Sequence, residues 1–405
     1  MVDLLEKIKK ATEGCEASVR QAIDLDLIRI DSGAIQEVAS YLVGKSYRQV
    51  SIVADSITYQ VAGAQLEAML TSVDLCVHTT IIKPNAQGDV IADEPALIQH
   101  IIDIQRYTAD VVIAVGGGTI HDIARYSAYS TRIPFVSVPT APSVDGFNSK
   151  GAPILIRGDK QTIAAVGPDA IFADLDILVK APKAMIAAGF ADMLGKYTSL
   201  FDWKFGSIVG AEPYLQVAAD ITRTALLQCV NQIDLIALRQ EEGIRTLIGA
   251  LIESGLAMLL LGHSHPASGA EHHLSHYWEM AYIRLGKRQL LHGAKVGVAC
   301  IQISRLYHQI ASEGSEVWRN TAEKESWAPG ARIAEHWDEL RLEIANIPDP
   351  ATLSVLLEKI GGPTSIQELS VSEELLESSL REAHQVRLNR FTLLRAYNER
   401  LNYEH

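Results

Sequence analysis

Over roughly its first 180 residues the chain alternates short, wholly apolar runs with segments of helical period. That pattern belongs to a sheet whose strands are joined by helices. Val50–Ala54 predicts a strand, followed by Asp55 and Ser56 and a helix-period segment to Leu70. Leu75–Lys83 is rich in β-branched residues, Ala96–Arg106 has helical spacing, and Val111–Val115 reads as a fully buried strand. Three glycines then lead into a helix from about Ile120 to Tyr129, and Ile133–Val138 and Ile171–Leu178 are further predicted strands. Apolar runs without polar alternation suit parallel strands covered on both faces.

After Pro182 the pattern changes. Long amphipathic helical segments fill Lys183 to the end with almost no strand signal, punctuated by Pro213, Gly243, the Gly262–Gly269 loop, Pro329–Gly330, Pro348–Pro350 and Gly361–Pro363. The predicted fold class is α/β plus all-α, with residues 1–180 as an α/β domain and 181–405 as an all-helical domain. A length of 405 residues exceeds one ordinary core and agrees with that division. The cleft between two such domains is the natural place for a ligand.

Composition narrows the function. The most apolar stretch, Leu247–Gly262, is broken by Glu253 and is shorter than the roughly 20 apolar residues of a bilayer span, so a buried helix is expected and membrane insertion is not. Met1–Arg20 carries charges throughout and has no apolar core of a signal peptide. Acidic residues outnumber basic ones by 49 to 36, a formal charge of -13, which argues against a nucleic-acid partner. A locally positive pocket can still take a phosphorylated substrate. Cys15, Cys76, Cys229 and Cys300 lie far apart and read as reduced thiols of a cytoplasmic protein.

Three segments carry candidate chemistry. Gly116-Gly117-Gly118-Thr119, between a strand and a helix, would let a pyrophosphate approach the backbone at a helix N-terminus. A tight turn with Thr119 as N-cap and Asp122 as its N3 partner explains the same residues. Asp55, just after a strand, could hold ribose hydroxyls and favour NAD over NADP, or could cap the helix that follows. Its position ahead of the glycines is not the chain order of an ordinary dinucleotide-binding unit. The loop Pro139–Ser149, with Thr140, Ser143, Asp145 and Ser149, is dense in small hydroxyls suited to an amide or a phosphate, and equally to a surface turn.

Six of the thirteen histidines fall within thirty residues: His263, His265, His272, His273, His276 and His292. Ser268-Gly-Ala-Glu271 has the form of a capping box, which starts a helix at Ser268 and puts His272 and His276 one turn apart on one face. His292 is followed by Gly293, which would let a ligand come close. The third donor is Asp192, on an otherwise apolar segment with Lys196 one turn on. A buried Asp192–Lys196 pair is the plainer reading, but an Asp-His-His set with an open position suits zinc, and also nickel or ferrous iron.

Taken in chain order, Gly116-Gly117-Gly118, Pro139-Thr140-x-x-Ser143-x-Asp145, Asp192, His272-x-x-x-His276 and His292-Gly293 resemble the iron-containing alcohol dehydrogenase and dehydroquinate synthase superfamily, over roughly residues 30 to 310. Within it, Gly189–Trp203 and Pro266–Glu279 are most similar to the glycerol-1-phosphate dehydrogenases, in their bacterial AraM-like branch. The resemblance implies a dinucleotide-binding domain followed by a helical metal- and substrate-binding domain. It implies reversible hydride transfer between NAD(P)H and dihydroxyacetone phosphate, giving sn-glycerol 1-phosphate, a phospholipid backbone. Asp192, His272 and His292 would bind one divalent metal, Zn2+ first and Ni2+ next. Asp145, His276 and Asp192 would contact substrate, and Gly116, Gly117, Gly118, Thr119, Asp122, Thr140, Ser143 and Ser149 would hold NAD, with NADP admitted.

Three departures stand out. Lys196 replaces a histidine of the iron-type alcohol dehydrogenases, Asp192 a glutamate of the dehydroquinate synthases, and Arg125 a lysine of many relatives. Lys196 is expected to help hold the substrate phosphate, and a cytoplasmic homodimer is the default assembly. A polyol dehydrogenase, an internally redox-neutral cyclase and a non-catalytic binding protein are the competing readings.

Overall fold

The computed structural model describes residues 3–318 and 327–403. Strands β1 (Leu27–Asp31), β2 (Gln49–Ala54), β3 (Cys76–Ile81), β4 (Val111–Gly116), β5 (Phe135–Pro139) and β8 (Ala170–Asp174) form one parallel sheet in the order β1-β8-β5-β4-β2-β3. The apolar runs became the central strands because both faces are covered: every residue of β4, β5 and β8 is buried. Register places Val50 beside Val111 and Ile113 beside Val136, so strand ends align along one edge.

The pattern misplaces three features. Ile171–Leu178 is not one strand. Asp174 accepts a hydrogen bond from the Asp176 N–H at 2.9 Å and turns Leu175–Leu178 into a short helix. Strand β1 alternates Leu-Ile-Arg-Ile-Asp as an edge strand, which a search for unbroken apolar runs passes over. The hairpin of β6 (Gly151–Ile156) and β7 (Asp159–Ala164) was also not expected, because β7 is polar and half open. Its two-residue turn, Arg157-Gly158, has φ of 52° and 84°, the left-handed pair that matches strand twist.

Helices α1 (Glu94–Arg106) and α2 (Gly118–Thr131) cover the sheet. The site is built from α3 (Lys183–Leu194), α4 (Lys196–Val209), α5 (Glu241–Leu261), α6 (Ala270–Arg284) and α7 (His292–Glu313). Among the described residues, every regular element after β8 is helical. Helix α5 is long and apolar enough to cross a membrane, but 72% of its most apolar window is buried within the protein. Its Glu253 is neutralised by Lys7, 2.6 Å away.

One core joins Ile171 and Ala173 of the sheet to Phe190 and Leu251 of the helices. A second packs Trp278, Trp318, Trp327 and Trp337 with Tyr307. This core holds the segment after residue 330 against α6: the Trp278 indole donates to Ser379 at 3.0 Å, and the Tyr282 hydroxyl to the Leu369 carbonyl at 2.8 Å. Emptying such a site costs about 3–5 kcal/mol per Trp→Ala, so the tail is part of the globule that carries the histidines.

Candidate active site

Asp55, the glycines and Thr140 follow β2, β4 and β5, three adjacent parallel strands, so all lie at their carboxyl edge, where open α/β sheets bind ligands. Helix α2 begins at Gly118 with Gly117 as N-cap and no capping side chain, so the Thr119–Asp122 capping pair does not form. Asp122 instead pairs with Arg125 at 2.8 Å. A Cβ on Gly116 would stand 2.7 Å from Ile120, and one on Gly118 2.9 Å from Val144, so packing alone excludes side chains there. His121 lies beneath, its Nδ1 2.9 Å from the Gly117 carbonyl and its Nε2 2.7 Å from the Ser137 hydroxyl. Burial pushes its pKa down to about 3, a neutral structural histidine.

Asp55 is a helix cap. Its Oδ1 accepts from the Ile57 and Thr58 N–H groups at 2.8 Å, and the Thr58 hydroxyl accepts from the Asp55 N–H at 3.0 Å. Its other oxygen makes no hydrogen bond among the described residues. Thr140 and Ser143 are buried, with the Thr140 N–H on the Gly116 carbonyl at 3.1 Å; the half-buried Ser149 donates to the Gly151 carbonyl at 3.2 Å.

Two glycines assemble the other wall. A Cβ on Gly189 would lie 1.8 Å from the Pro142 carbonyl oxygen, so the loop after β5 rests directly on α3. The Asp145 N–H then donates to Asp192 Oδ2 at 3.0 Å. A Cβ on Gly293 would lie 1.8 Å from the Ala188 oxygen, so the start of α7 is pressed against α3 and His292 is carried to Asp192. The room beside Gly293 is therefore filled by the neighbouring helix and not kept for a ligand.

Donor atoms of Asp192, His272 and His292 all lie within 4.8 Å of one another. Asp192 and His272 are buried, and His292 is half-buried. Nε2 of His272 is 3.6 Å from Asp192 Oδ1, and the His272 and His292 rings are 5.2 Å apart. His276, one turn on, has its ring 5.9 Å from that of His292. Burial opposes charge on Asp192, yet Lys196, His272 and His292 together hold it well below the usual carboxylate range. Two imidazoles, one ionised carboxylate and an accessible side are a donor set that fits a divalent ion.

Glu271 does not cap a helix begun by Ser268; α6 opens at Ala270 with Gly269 as its N-cap. Fully buried, Glu271 takes the His272 Nδ1–H at 2.6 Å and the Gly269 N–H at 2.7 Å on one oxygen, and the Thr198 hydroxyl at 2.6 Å on the other. It thereby turns Nε2 of His272 toward Asp192, the usual support of a metal-binding histidine. Burial opposes charge on His272 too, but Asp192 and Glu271 raise its pKa. Of the remaining clustered histidines, His265 faces Glu212 at 3.5 Å and His273 is sealed inside, with no hydrogen-bond partner for either nitrogen among the described residues; His263 is exposed.

Lys196 has no exposed surface. Its Nζ is 2.7 Å from Asp145 Oδ2 and 3.4 Å from Asp192 Oδ1, and it donates to the Ala267 carbonyl at 3.0 Å. Its contacts are all internal, where the sequence led us to expect one to a substrate phosphate, and it neutralises the two aspartates. Asp145 Oδ2 also accepts from Ser254 at 2.8 Å.

Two groups carry roles that the sequence did not indicate. Lys160, on the unexpected hairpin, grips both oxygens of Glu279 at 2.8 and 2.9 Å, and Lys295 joins at 3.0 Å; Glu279 Oε2 is 4.0 Å from His276 Nδ1. Arg125, fully buried, donates to Asp122 and to the carbonyls of Gly146, Phe147 and Gly151, and so clamps the loop beyond Asp145. A surface hollow of about 580 Å3 lined by Tyr129, Arg132, Pro134 and Asp169 lies at the amino ends of β5 and β8, the opposite edge.

The model of the iron-containing alcohol dehydrogenase family matches residues 29–182. The NAD(P)+ glycerol-1-phosphate dehydrogenase of Geobacillus thermodenitrificans is 43% identical over 399 residues, 98% of each chain. That of Halalkalibacterium halodurans is 44% identical over 402 residues, 99% of each. That of Pyrococcus furiosus is 32% identical over 337 residues, 83% of each. Among solved structures, a probable glycerol dehydrogenase from Sinorhizobium meliloti superposes with a TM-score of 0.67 at 15% identity, covering 94% of this chain and 97% of its own, a likeness of fold. With its parallel sheet, its helical half and near end-to-end identity above 40% to named members, this chain belongs to the glycerol-1-phosphate dehydrogenases of the iron-containing alcohol dehydrogenase superfamily.

Proposed function

We propose that the protein catalyses the reversible, NAD(P)-linked reduction of dihydroxyacetone phosphate to sn-glycerol 1-phosphate at a single divalent-metal centre. The observation that carries this reading is the Asp192–His272–His292 set, two members buried and the third half-buried, beside Asp145 and the carboxyl edge of the sheet. When bound, the ion supplies Lewis acidity for the charge gained by a carbonyl oxygen, and the nicotinamide supplies or accepts hydride. Asp192, His272 and His292 hold the ion; the donors suit Zn2+ first and Ni2+ next.

The chain's own residues do the rest. Glu271 fixes the orientation of His272, and Lys196 keeps Asp145 and Asp192 together without repulsion. Asp145 contacts substrate through the oxygen not bound to Lys196 and Ser254. His276 is kept neutral by burial and by the positive charges of Lys160 and Arg387, so one ring nitrogen accepts and the other donates. It relays the proton that the substrate hydroxyl gains or loses. At the sheet edge, Gly116–Thr119 and the start of α2 take the pyrophosphate. Asp122 offers its second oxygen, and Asp55, Thr140, Ser143 and Ser149 line the remainder. Residues 1–180 act as the dinucleotide-binding domain and 181–405 as the metal- and substrate-binding domain, in a cytoplasmic homodimer whose product is a phospholipid backbone.

The test is turnover of NADH and NADPH with dihydroxyacetone phosphate and with dihydroxyacetone, with and without added Zn2+ or Ni2+, and chiral analysis of the product. Oxidation with dihydroxyacetone alone would make the protein a polyol dehydrogenase. Turnover of a substrate without net NAD+ would make it a cyclase.

A further inference from the structure

We infer that Arg387, on the segment after residue 330, is the anchor for the phosphate of the substrate. The inference rests on the reading above and adds the residue that separates a phosphorylated triose from an unphosphorylated one. It starts from charge: in a chain with 49 acids and 36 bases, a half-buried cation without an acidic partner is out of keeping with its surroundings. The other cations near the histidines each have an acidic neighbour. Lys196 is held by Asp145 and Asp192, Lys160 and Lys295 by Glu279, and Arg125 by Asp122; Arg390 is sealed inside, 3.4 Å from Glu212, with Nη1 on the Ser268 carbonyl. Arg387 has no ion pair among the described residues. Its Nη1 donates to the hydroxyls of Ser264 and Ser268, each at 3.1 Å, and its other nitrogens make no hydrogen bond there.

Its position is set by the loop that feeds α6. Ser268 follows Ala267, whose carbonyl takes a proton of Lys196, and precedes His272 by four residues. The two hydroxyls seat one end of the guanidinium and leave the rest of its fork to a ligand. Burial and the nearby Arg390 push its pKa down to about 10, which marks a poorly solvated cation that an anion would stabilise. A phosphate monoester dianion matches the planar fork in charge and shape. The phosphates of the dinucleotide share that chemistry, so the two sources must be separated by experiment.

Full-length, metal-loaded Arg387→Met, Arg387→Lys and Lys160→Met proteins are compared with the parent in KM and kcat for dihydroxyacetone phosphate, dihydroxyacetone, NADH and NADPH. Arg387→Met is expected to raise KM for dihydroxyacetone phosphate by roughly 10- to 150-fold, the worth of a hydrogen bond to a charged group. KM for dihydroxyacetone and for both nucleotides should stay near the parent's, with Arg387→Lys in between. Isothermal titration with inorganic phosphate should show binding to the parent and none to Arg387→Met. Unchanged KM for dihydroxyacetone phosphate, an equal rise for dihydroxyacetone, a rise confined to the nucleotides, or the selective effect at Lys160→Met instead would each overturn the assignment. If Arg387→Met fails to fold by thermal melting, Ser264→Ala, which removes one seat of the guanidinium, must give a smaller rise with the same selectivity. A parent inactive on dihydroxyacetone phosphate refutes the proposed reaction, while the phosphate titration still decides the anchor.

Discussion

Gly293→Ala tests whether the approach of two helices positions the site. The new Cβ would stand 1.8 Å from the Ala188 oxygen and 2.5 Å from its carbonyl carbon, both backbone atoms of α3. A comfortable C···O distance is about 3.3 Å, so the start of α7 must move by about 1.5 Å. No rotamer change can absorb the clash. Overpacking of this kind costs about 1–3 kcal/mol. The larger effect is expected at the site, because His292 adjoins the substituted residue and metal distances are tolerated only to about 0.2 Å. Metal affinity should fall on the order of 100-fold or more, and a displacement of about 1 Å can cost a similar factor in kcat/KM. Chelator competition with Zn2+, thermal melting and kcat/KM measured on one preparation separate the two effects. A variant with the parent's metal affinity and melting temperature would refute the reasoning.

The remaining predictions probe other links. Glu271→Gln removes the charge that holds His272 Nδ1 at 2.6 Å and should weaken metal binding by roughly 10- to 100-fold; a change below twofold in chelator competition would contradict that role. Arg125→Lys loses at least one of four bonds made by a fully buried guanidinium, since lysine has three donors, and should destabilise by about 2–4 kcal/mol in urea unfolding. An intact midpoint would mean that the loop does not depend on the clamp. Burial pushes both His100 and His121 to about 3, against about 6.5 unfolded. The unfolded chain thus binds more protons below about pH 6.5, so stability is full above that pH and falls on acidification by up to about 1.4 kcal/mol per pH unit for each histidine. His100→Leu should make the fall between about pH 6.5 and 3 shallower by one group's share, and an unchanged slope would sink the assignment. Asp55→Ala should cost about 1 kcal/mol as a lost cap; a shift toward NADPH in the same variant would show that Asp55 also meets the ribose, and an unchanged preference that it is a cap alone.

Much of the sheet was legible because its central strands are buried on both faces, and continuous apolar runs record that burial directly. Edge strand β1 and the β6–β7 hairpin escaped because half-exposed strands tolerate Arg, Asp, Lys and Gln. The hairpin mattered, since it delivers Lys160 to Glu279 beside His276. Caps were read less well. Asp55 is a cap with Thr58, but Thr119 and Ser268 are not, because strand β4 and the Ser264–Ser268 loop fix where α2 and α6 begin.

Residue chemistry by itself determined that the chain is an α/β sheet followed by helices and that Asp192 and a group of histidines are its unusual polar residues. Hydrophobic period and donor type are local properties, written position by position. Only the tertiary structure decided which histidines meet Asp192, because His272 and His292 come from separate helices brought together over glycines at 189 and 293. It also decided that Lys196 is consumed internally while Arg387, far beyond both histidines in the chain, stands near them unpaired by any carboxylate among the described residues. Which partner a charge keeps is a matter of distances a few ångströms long, and sequence separation carries no information about those.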